Sequence, residues 1–170
     1  MLRAPTSTAL TTNTAAAADK TTGGASDAPA AAPAPTTGNI VANGDFAGGM
    51  AGWQDWGNAA VIGGALNVGT AAGGAGQNIN GKATPGAKYQ FTATANITAA
   101  AEGVFVGVKV LNSAGAVLLE QVKVVSSLTP AAVSIAFTAP QGAAGFQVYV
   151  WKNQNAALGV VDNMALVSVA

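Results

Sequence analysis

Few side chains in residues 39–170 can move a proton. There are five carboxylates, Asp45, Asp55, Glu102, Glu120 and Asp162, and the whole chain has no histidine and no cysteine. Ser-His-Asp and Cys-His catalysis, His or thiolate zinc sites, haem ligation through His and disulfides are thereby excluded. Hydrolysis by paired carboxylates needs two of them about 5–9.5 Å apart across one bond. Glu102 follows an alanine run and Glu120 lies on an alternating segment, so both read as solvated. Gly63-Gly64 and Gly73-Gly74-Ala75-Gly76 open no helical pattern and precede no Lys-Ser/Thr, so no phosphate loop is present. Catalysis is not expected. A different grouping carries more: Phe146–Trp151 reads FQVYVW, followed by Lys152–Asn155, KNQN. Strand alternation puts Phe146, Val148 and Val150 on one face and Gln147, Tyr149 and Trp151 on the other. The aliphatic side is the better core, which leaves an amide, a phenol and an indole in a row.

Strands must position that row. Tyr89–Ile97, Val104–Leu111, Val117–Val125, Val133–Thr138, Phe146–Trp151 and Val160–Val167 are alternating or rich in β-branched residues. Gly, Pro, Asn and Ser clusters separate them, with good turns at Asn112–Gly115 and Ala139–Gly142. Shorter strands are expected at Ile40–Ala42, Trp53–Trp56, Ala60–Ile62, Leu66–Val68 and Gln77–Ile79. No segment has convincing helical length and period. About ten short strands in one domain of this size predict an all-β, antiparallel β-sandwich or jelly roll.

The first 38 residues are different. They hold 12 Ala, 9 Thr, 4 of the 7 Pro and no aromatic residue. Such a segment cannot bury enough apolar surface to offset backbone ordering, roughly 1–2 kcal/mol per residue. Residues 1–38 are therefore expected to be a disordered or extended N-terminal arm, an inert spacer or a segment that orders on a partner. Arg3 is followed by Ala4, Pro5, Thr6, Ser7 and Thr8. No signal peptide is expected from that start, and no transmembrane segment from the rest. Seven basic and seven acidic residues cancel, so nothing steers the chain to nucleic acid or an anionic membrane.

Four pieces in order carry a resemblance. Asn39-Ile40-Val41-Ala42-Asn43-Gly44-Asp45-Phe46 is an opening strand ending in Asn-Gly-x-Phe. Gly52-Trp53 follows, with Trp56-Gly57 just after. Pro85-Gly86-Ala87-Lys88-Tyr89 turns into a long strand, and Val160-Val161-Asp162-Asn163-Met164-Ala165-Leu166 closes the domain. Over residues 39–170 this resembles the carbohydrate-binding modules with a galactose-binding-like jelly roll that accompany xylanases and related glycanases. The resemblance implies a structural calcium, with ligands at the Asp45 carbonyl, at the residue after Phe46 and at Asp162. Here the residue after Phe46 is Ala47, where the family usually has Glu. Calcium takes six to eight hard oxygens, and a lost carboxylate weakens such a site. Asp162 either helps bind calcium with Asp45 or caps a facing strand end without metal.

In these modules flat aromatic faces meet the apolar side of a pyranose while amides and carboxylates take its hydroxyls. The candidate carbohydrate-binding residues are Gln147, Tyr149, Trp151, Trp56, Lys109 and Asn153. Tyr149 and Trp151 either face ligand or are covered by the arm, a neighbouring subunit or the sandwich itself. Trp53 is expected in the core and Trp56, three residues on, on the opposite side. Lys109 either reaches this face or guards a strand edge. Two settings follow for a non-enzymatic module bound to a polysaccharide or cell-surface glycan. The first is a virion decoration, cement or fibre protein, fixed to a capsid or similar assembly through residues 1–38. The second is an appendage of a secreted polysaccharide-degrading enzyme system. The expected location is an extracellular surface or a virion, and edge strands of low charge permit a homo-oligomer.

Overall fold

The computed structural model describes residues 38–170. The arm expected over residues 1–38 lies outside the described residues, Gly38 apart. Ten strands follow one another: β1 (Gln54–Asp55), β2 (Ala59–Ile62), β3 (Ala65–Val68), β4 (Gly73–Asn80), β5 (Lys88–Ile97), β6 (Val104–Leu111), β7 (Val117–Val125), β8 (Ala131–Thr138), β9 (Gly145–Lys152) and β10 (Gly159–Val169). They form two five-stranded sheets, ordered β1-β4-β9-β6-β7 and β2-β3-β10-β5-β8. Every neighbouring pair is antiparallel. The described residues contain no helix, so none is long and apolar enough to cross a membrane.

The inner faces follow the period-two pattern. Val104, Val106, Val108 and Val110 of β6 and Phe146, Val148 and Val150 of β9 are buried from the first sheet. Phe91, Ala93, Ala95 and Ile97 of β5, Val133, Ile135 and Phe137 of β8, and Leu66 and Val68 of β3 meet them from the second. An aromatic group ties the sheets together at one end: Tyr89 lies 5.8 Å from Phe137 and 4.8 Å from Phe146, centroid to centroid. The Tyr89 hydroxyl donates to Lys82 O (3.2 Å) and accepts from Thr84 N–H (3.0 Å), so its polar tip is satisfied inside.

At the end of β9 the same inward pattern buries a lysine. Lys152 is 0 % exposed, and its ammonium donates to Gly69 O (3.0 Å) and Asn153 O (3.1 Å). Burial pushes its pKa down. The side chain ties the turn before β4 to the loop after β9.

The expected strand at Ile40–Ala42 does not form. Ile40 N–H reaches Leu166 O (3.0 Å), and side chains then take over the backbone pairing. Asn39 Oδ1 accepts from both Val41 N–H and Leu166 N–H. Gln77, 5 % exposed, accepts from Ala42 N–H (2.8 Å) and donates to Ala42 O (2.8 Å) and Gly52 O (3.2 Å). β10 carries a bulge between Asp162 and Ala165, with Asn163 at φ 52°. There Met164 N–H donates to Gly44 O (2.8 Å), and a Cβ on Gly44 would run into the Met164 carbonyl.

Gln77→Met should therefore lower unfolding free energy by about 1–3 kcal/mol, the cost of backbone groups left unpaired on one side of the substitution. Urea denaturation measures it, and an unchanged midpoint would show that water replaces the amide.

Candidate functional site

Register across the first sheet lines up its outer face. Directly opposed residues share a face, and four rows result. Gly74, Trp151, Phe105 and Val124 form the first, and Gly76, Tyr149, Gly107 and Val122 the second. Asn78, Gln147, Lys109 and Glu120 form the third, and Asn80, Gly145, Leu111 and Val117 the fourth. A wholly polar row thus lies between a row of glycines, Tyr149 and Val122 and a row whose one polar member is Asn80. Val122 and Val124, on the edge strand β7, are exposed and extend the apolar part outward.

Trp56 follows β1 and joins this face. Its backbone N–H donates to Gly74 O (2.9 Å), and its ring lies over Gly76, where a Cβ would overlap the indole. Trp53 points the other way, into the core, with its ring 5.0 Å from Phe46 and its Nε1–H on Asn43 O (3.1 Å). The opposed pair is placed as expected. Both Trp56 and Trp151 are half-buried.

Tyr149 is only 7 % exposed. It leans over Gly107, the Lys109 ammonium stands 5.1 Å from its ring centroid, and its hydroxyl donates to Glu120 Oε1 at 2.6 Å. Burial, then the hydrogen bond and charge of Glu120, push the phenol pKa well up. Lys109 Nζ is 3.9 Å from Glu120 Oε1. β6 is paired on both sides, so Lys109 guards no edge; it belongs to the polar row. Gln147 Nε2–H donates to Asn78 Oδ1 (2.8 Å). Asn153 lies beyond the end of β9, where its Oδ1 accepts from Trp151 Nε1–H (3.1 Å) and its Nδ2–H donates to Glu102 Oε2 (3.1 Å).

Glu102 and Glu120 are exposed, as their sequence context implies, and each also accepts a hydrogen bond, Glu120 from Tyr149 and Glu102 from Asn153. Asn78 and the exposed valines also escape a reading of the sequence. Asn78 lies in a strand whose first four residues are three glycines and an alanine, and the partners of both glutamates come from distant segments. Only the register of β4, β9, β6 and β7 brings them together.

Asp45 and Asp162 are neighbours at the opening of the domain. Burial raises the Asp162 carboxyl pKa, the Asn163 N–H (2.7 Å) lowers it, and the Asp45 charge raises it further. Asp45 Oδ1 accepts from Ala47 N–H (3.2 Å). Among the described residues no cluster of three or more His, Cys, Asp or Glu side chains could hold a metal. The donor set is two carboxylates close enough for the Asp45 charge to act on Asp162. A hard cation would relieve that repulsion, so these residues fit calcium in kind, with fewer acidic ligands than a full site.

A helix-free, two-sheet antiparallel sandwich with aromatic side chains gathered on one outer face defines a β-sandwich module of the jelly-roll class. Residues 38–157 match the model of the carbohydrate binding domain family, and the chain belongs to that family. Solved structures share the fold. A family 16 carbohydrate binding module is similar with a TM-score of 0.65 and 22% identity, over 76% of this chain and 99% of that one. The C-terminal family 22 carbohydrate binding module of Clostridium thermocellum Xyn10B, in which conserved amino acids of the cleft have a role in ligand binding, gives 0.57 and 19%, over 79% and 97%. The enzymatically active domain of bacteriophage CBA120 tailspike protein 4 gives 0.61 and 16%, over 77% of this chain but 21% of that one. No protein of curated function matches the chain significantly.

Gly76→Ala tests the packing of this face. A strand Gly→Ala change ordinarily helps, but here the methyl group must displace the Trp56 ring, at a cost of about 1–3 kcal/mol. Near-UV circular dichroism should change with it. An unaltered spectrum at unaltered stability would show that Trp56 does not rest on Gly76.

Proposed function

We propose that the outer face of the first sheet binds a polysaccharide or cell-surface glycan, and that the domain is non-enzymatic. The observation that carries this reading is Trp56 and Trp151 on one sheet face, with Phe105 beside Trp151 and glycines at positions 74 and 76. Indole faces take the apolar side of a sugar ring. Gln147, Asn78 and Lys109, one row from Trp56 over Gly76 and two from Trp151, supply donors and acceptors for its hydroxyls. Tyr149 serves as floor: its hydroxyl is committed to Glu120 and little of the ring is exposed. The fold neighbours support the reading, because carbohydrate binding modules of families 16 and 22 share this architecture. Against catalysis, Glu120 is held by Tyr149 and Lys109, and Glu102 by Asn153.

For its setting we favour a surface-displayed structural module, of the virion decoration or fibre kind, fixed to a larger assembly through residues 1–38 and located on a virion or other extracellular surface. The similarity to part of a phage tailspike supports this. The similarity to free-standing carbohydrate binding modules supports the second setting, an appendage of a secreted polysaccharide-degrading system.

A glycan array probed with the full chain, in parallel with Trp151→Ala, tests the binding reading. The full chain should give specific hits that Trp151→Ala loses while its melting temperature stays nearly unchanged. A stability loss of about 3–5 kcal/mol would instead make Trp151 a core residue. A blank array from folded protein would overturn glycan recognition.

We also propose that Asp45 and Asp162 share a structural calcium. Thermal melts should then show a higher midpoint with calcium than with chelator, since a ligand bound only by the folded state stabilises it. Identical midpoints would remove the metal from the account.

A further inference from the structure

We propose that Glu102 is a positioning residue for the Trp151 indole, acting through Asn153; this rests on the reading of Trp151 as a glycan platform. Trp151 stands on an outer face with Gly74 on one side and Phe105 on the other. The glycine offers no side chain against which the ring can rest. What fixes the indole edge is a polar relay: Trp151 Nε1–H donates to Asn153 Oδ1 at 3.1 Å, and Asn153 Nδ2–H donates to Glu102 Oε2 at 3.1 Å.

The polarity of this relay is fully determined. An indole N–H only donates and an ionised carboxylate only accepts, so one orientation of the Asn153 amide satisfies both neighbours and the flipped one satisfies neither. The ends are anchored as well. Asn155 Nδ2–H donates to Glu102 O (3.1 Å), and the buried Lys152 ammonium donates to Asn153 O (3.1 Å). Asn155 N–H is held by Thr70 O at 3.0 Å. Loops before β6, before β4 and after β9 therefore meet where the indole is set. Asn153 has its oxygen and one amide proton committed to holding the platform, and Glu102, exposed in its own right, holds Asn153.

An indole ordered before the sugar arrives is not ordered at the expense of binding. Immobilising one such side chain is worth about two- to tenfold in affinity.

The test uses the full chain and four variants, with two readouts. The first is solvent exchange of the Trp151 indole N–H by NMR, which requires no ligand. The second is affinity for xylohexaose. Glu102→Ala should speed indole exchange and weaken binding about two- to tenfold. Glu102→Gln, whose amide oxygen still accepts, should leave both unchanged. Asn153→Asp should behave like Glu102→Ala, because two carboxylates then face each other. Adding Glu102→Gln to Asn153→Asp should restore both readouts, the new amide donating where a carboxylate had repelled. A purely structural role for the loop predicts no such rescue by reversed polarity. Unchanged indole exchange in Glu102→Ala, or failure of the double variant to recover, overturns the proposal. If exchange follows the predicted pattern while the unmodified protein ignores xylohexaose, the relay stands and xylohexaose recognition fails separately.

Discussion

The outer face of the first sheet depends on one constraint, the period-two alternation of β9 at the centre of that sheet. β9 is hydrogen-bonded to β4 on one side and β6 on the other, so its register cannot slip without breaking two ladders. A shift by one residue would send Phe146, Val148 and Val150 outward and Gln147, Tyr149 and Trp151 into the core. The three aliphatic and aromatic core residues are all 0 % exposed, and expelling them would forfeit several kcal/mol. Core packing therefore fixes which way the amide, phenol and indole point. The chemistry of the outer face follows from the hydrophobicity of the inner one.

The second contribution to the face is the omission of side chains. Aromatic rings lie on a sheet only where the neighbouring positions leave them room. Gly76 makes room for Trp56 and Gly107 for Tyr149; a Cβ at either position would meet the ring. The glycines weaken the strands they occupy, so the face has a stability cost that the buried aliphatic and aromatic inner layer offsets. Polar groups on the same face are treated differently. Gln147 is tied to Asn78, and Lys109 and Tyr149 to Glu120, so most of that row has its geometry set in the free protein.

Legibility in the sequence divides along the same line. β6 and β7 are readable residue for residue, because Val104–Leu111 and Val117–Val125 are dense in β-branched residues and bounded by clear turns. β4 is readable only in its second half. Its first residues, Gly73-Gly74-Ala75-Gly76, have poor strand propensity and are strand because the Trp56 ring and adjoining backbones need them bare. The strand expected at Ile40–Ala42 has the right residue types, but Asn39 and Gln77 capture its backbone groups. Alternation alone assigned Gln147, Tyr149 and Trp151 to one face. It could not show that Tyr149 is covered, since Lys109 and Glu120 arrive from other strands. Glu102, Glu120 and Asn78 escaped for the same reason: each has its role through a cross-strand or cross-loop partner, and one-dimensional periodicity holds no such information.

Charge is handled with the same economy on the inside as on the face. The chain has seven basic residues in all, yet one, Lys152, is fully buried with its ammonium on two backbone carbonyls. Desolvating an ammonium is costly, and the lowered pKa is the imprint of that cost. What the cost secures is a link between backbone carbonyls of two loops, Gly69 O and Asn153 O. A neutral apolar side chain would pack there but could donate to neither. The residue after this lysine is the one that takes the Trp151 indole N–H, so the buried cation fixes the backbone from which the indole is held. Inner-face alternation, carried one residue pair beyond Val150, thus ends in a charged group whose position bears on the outer face.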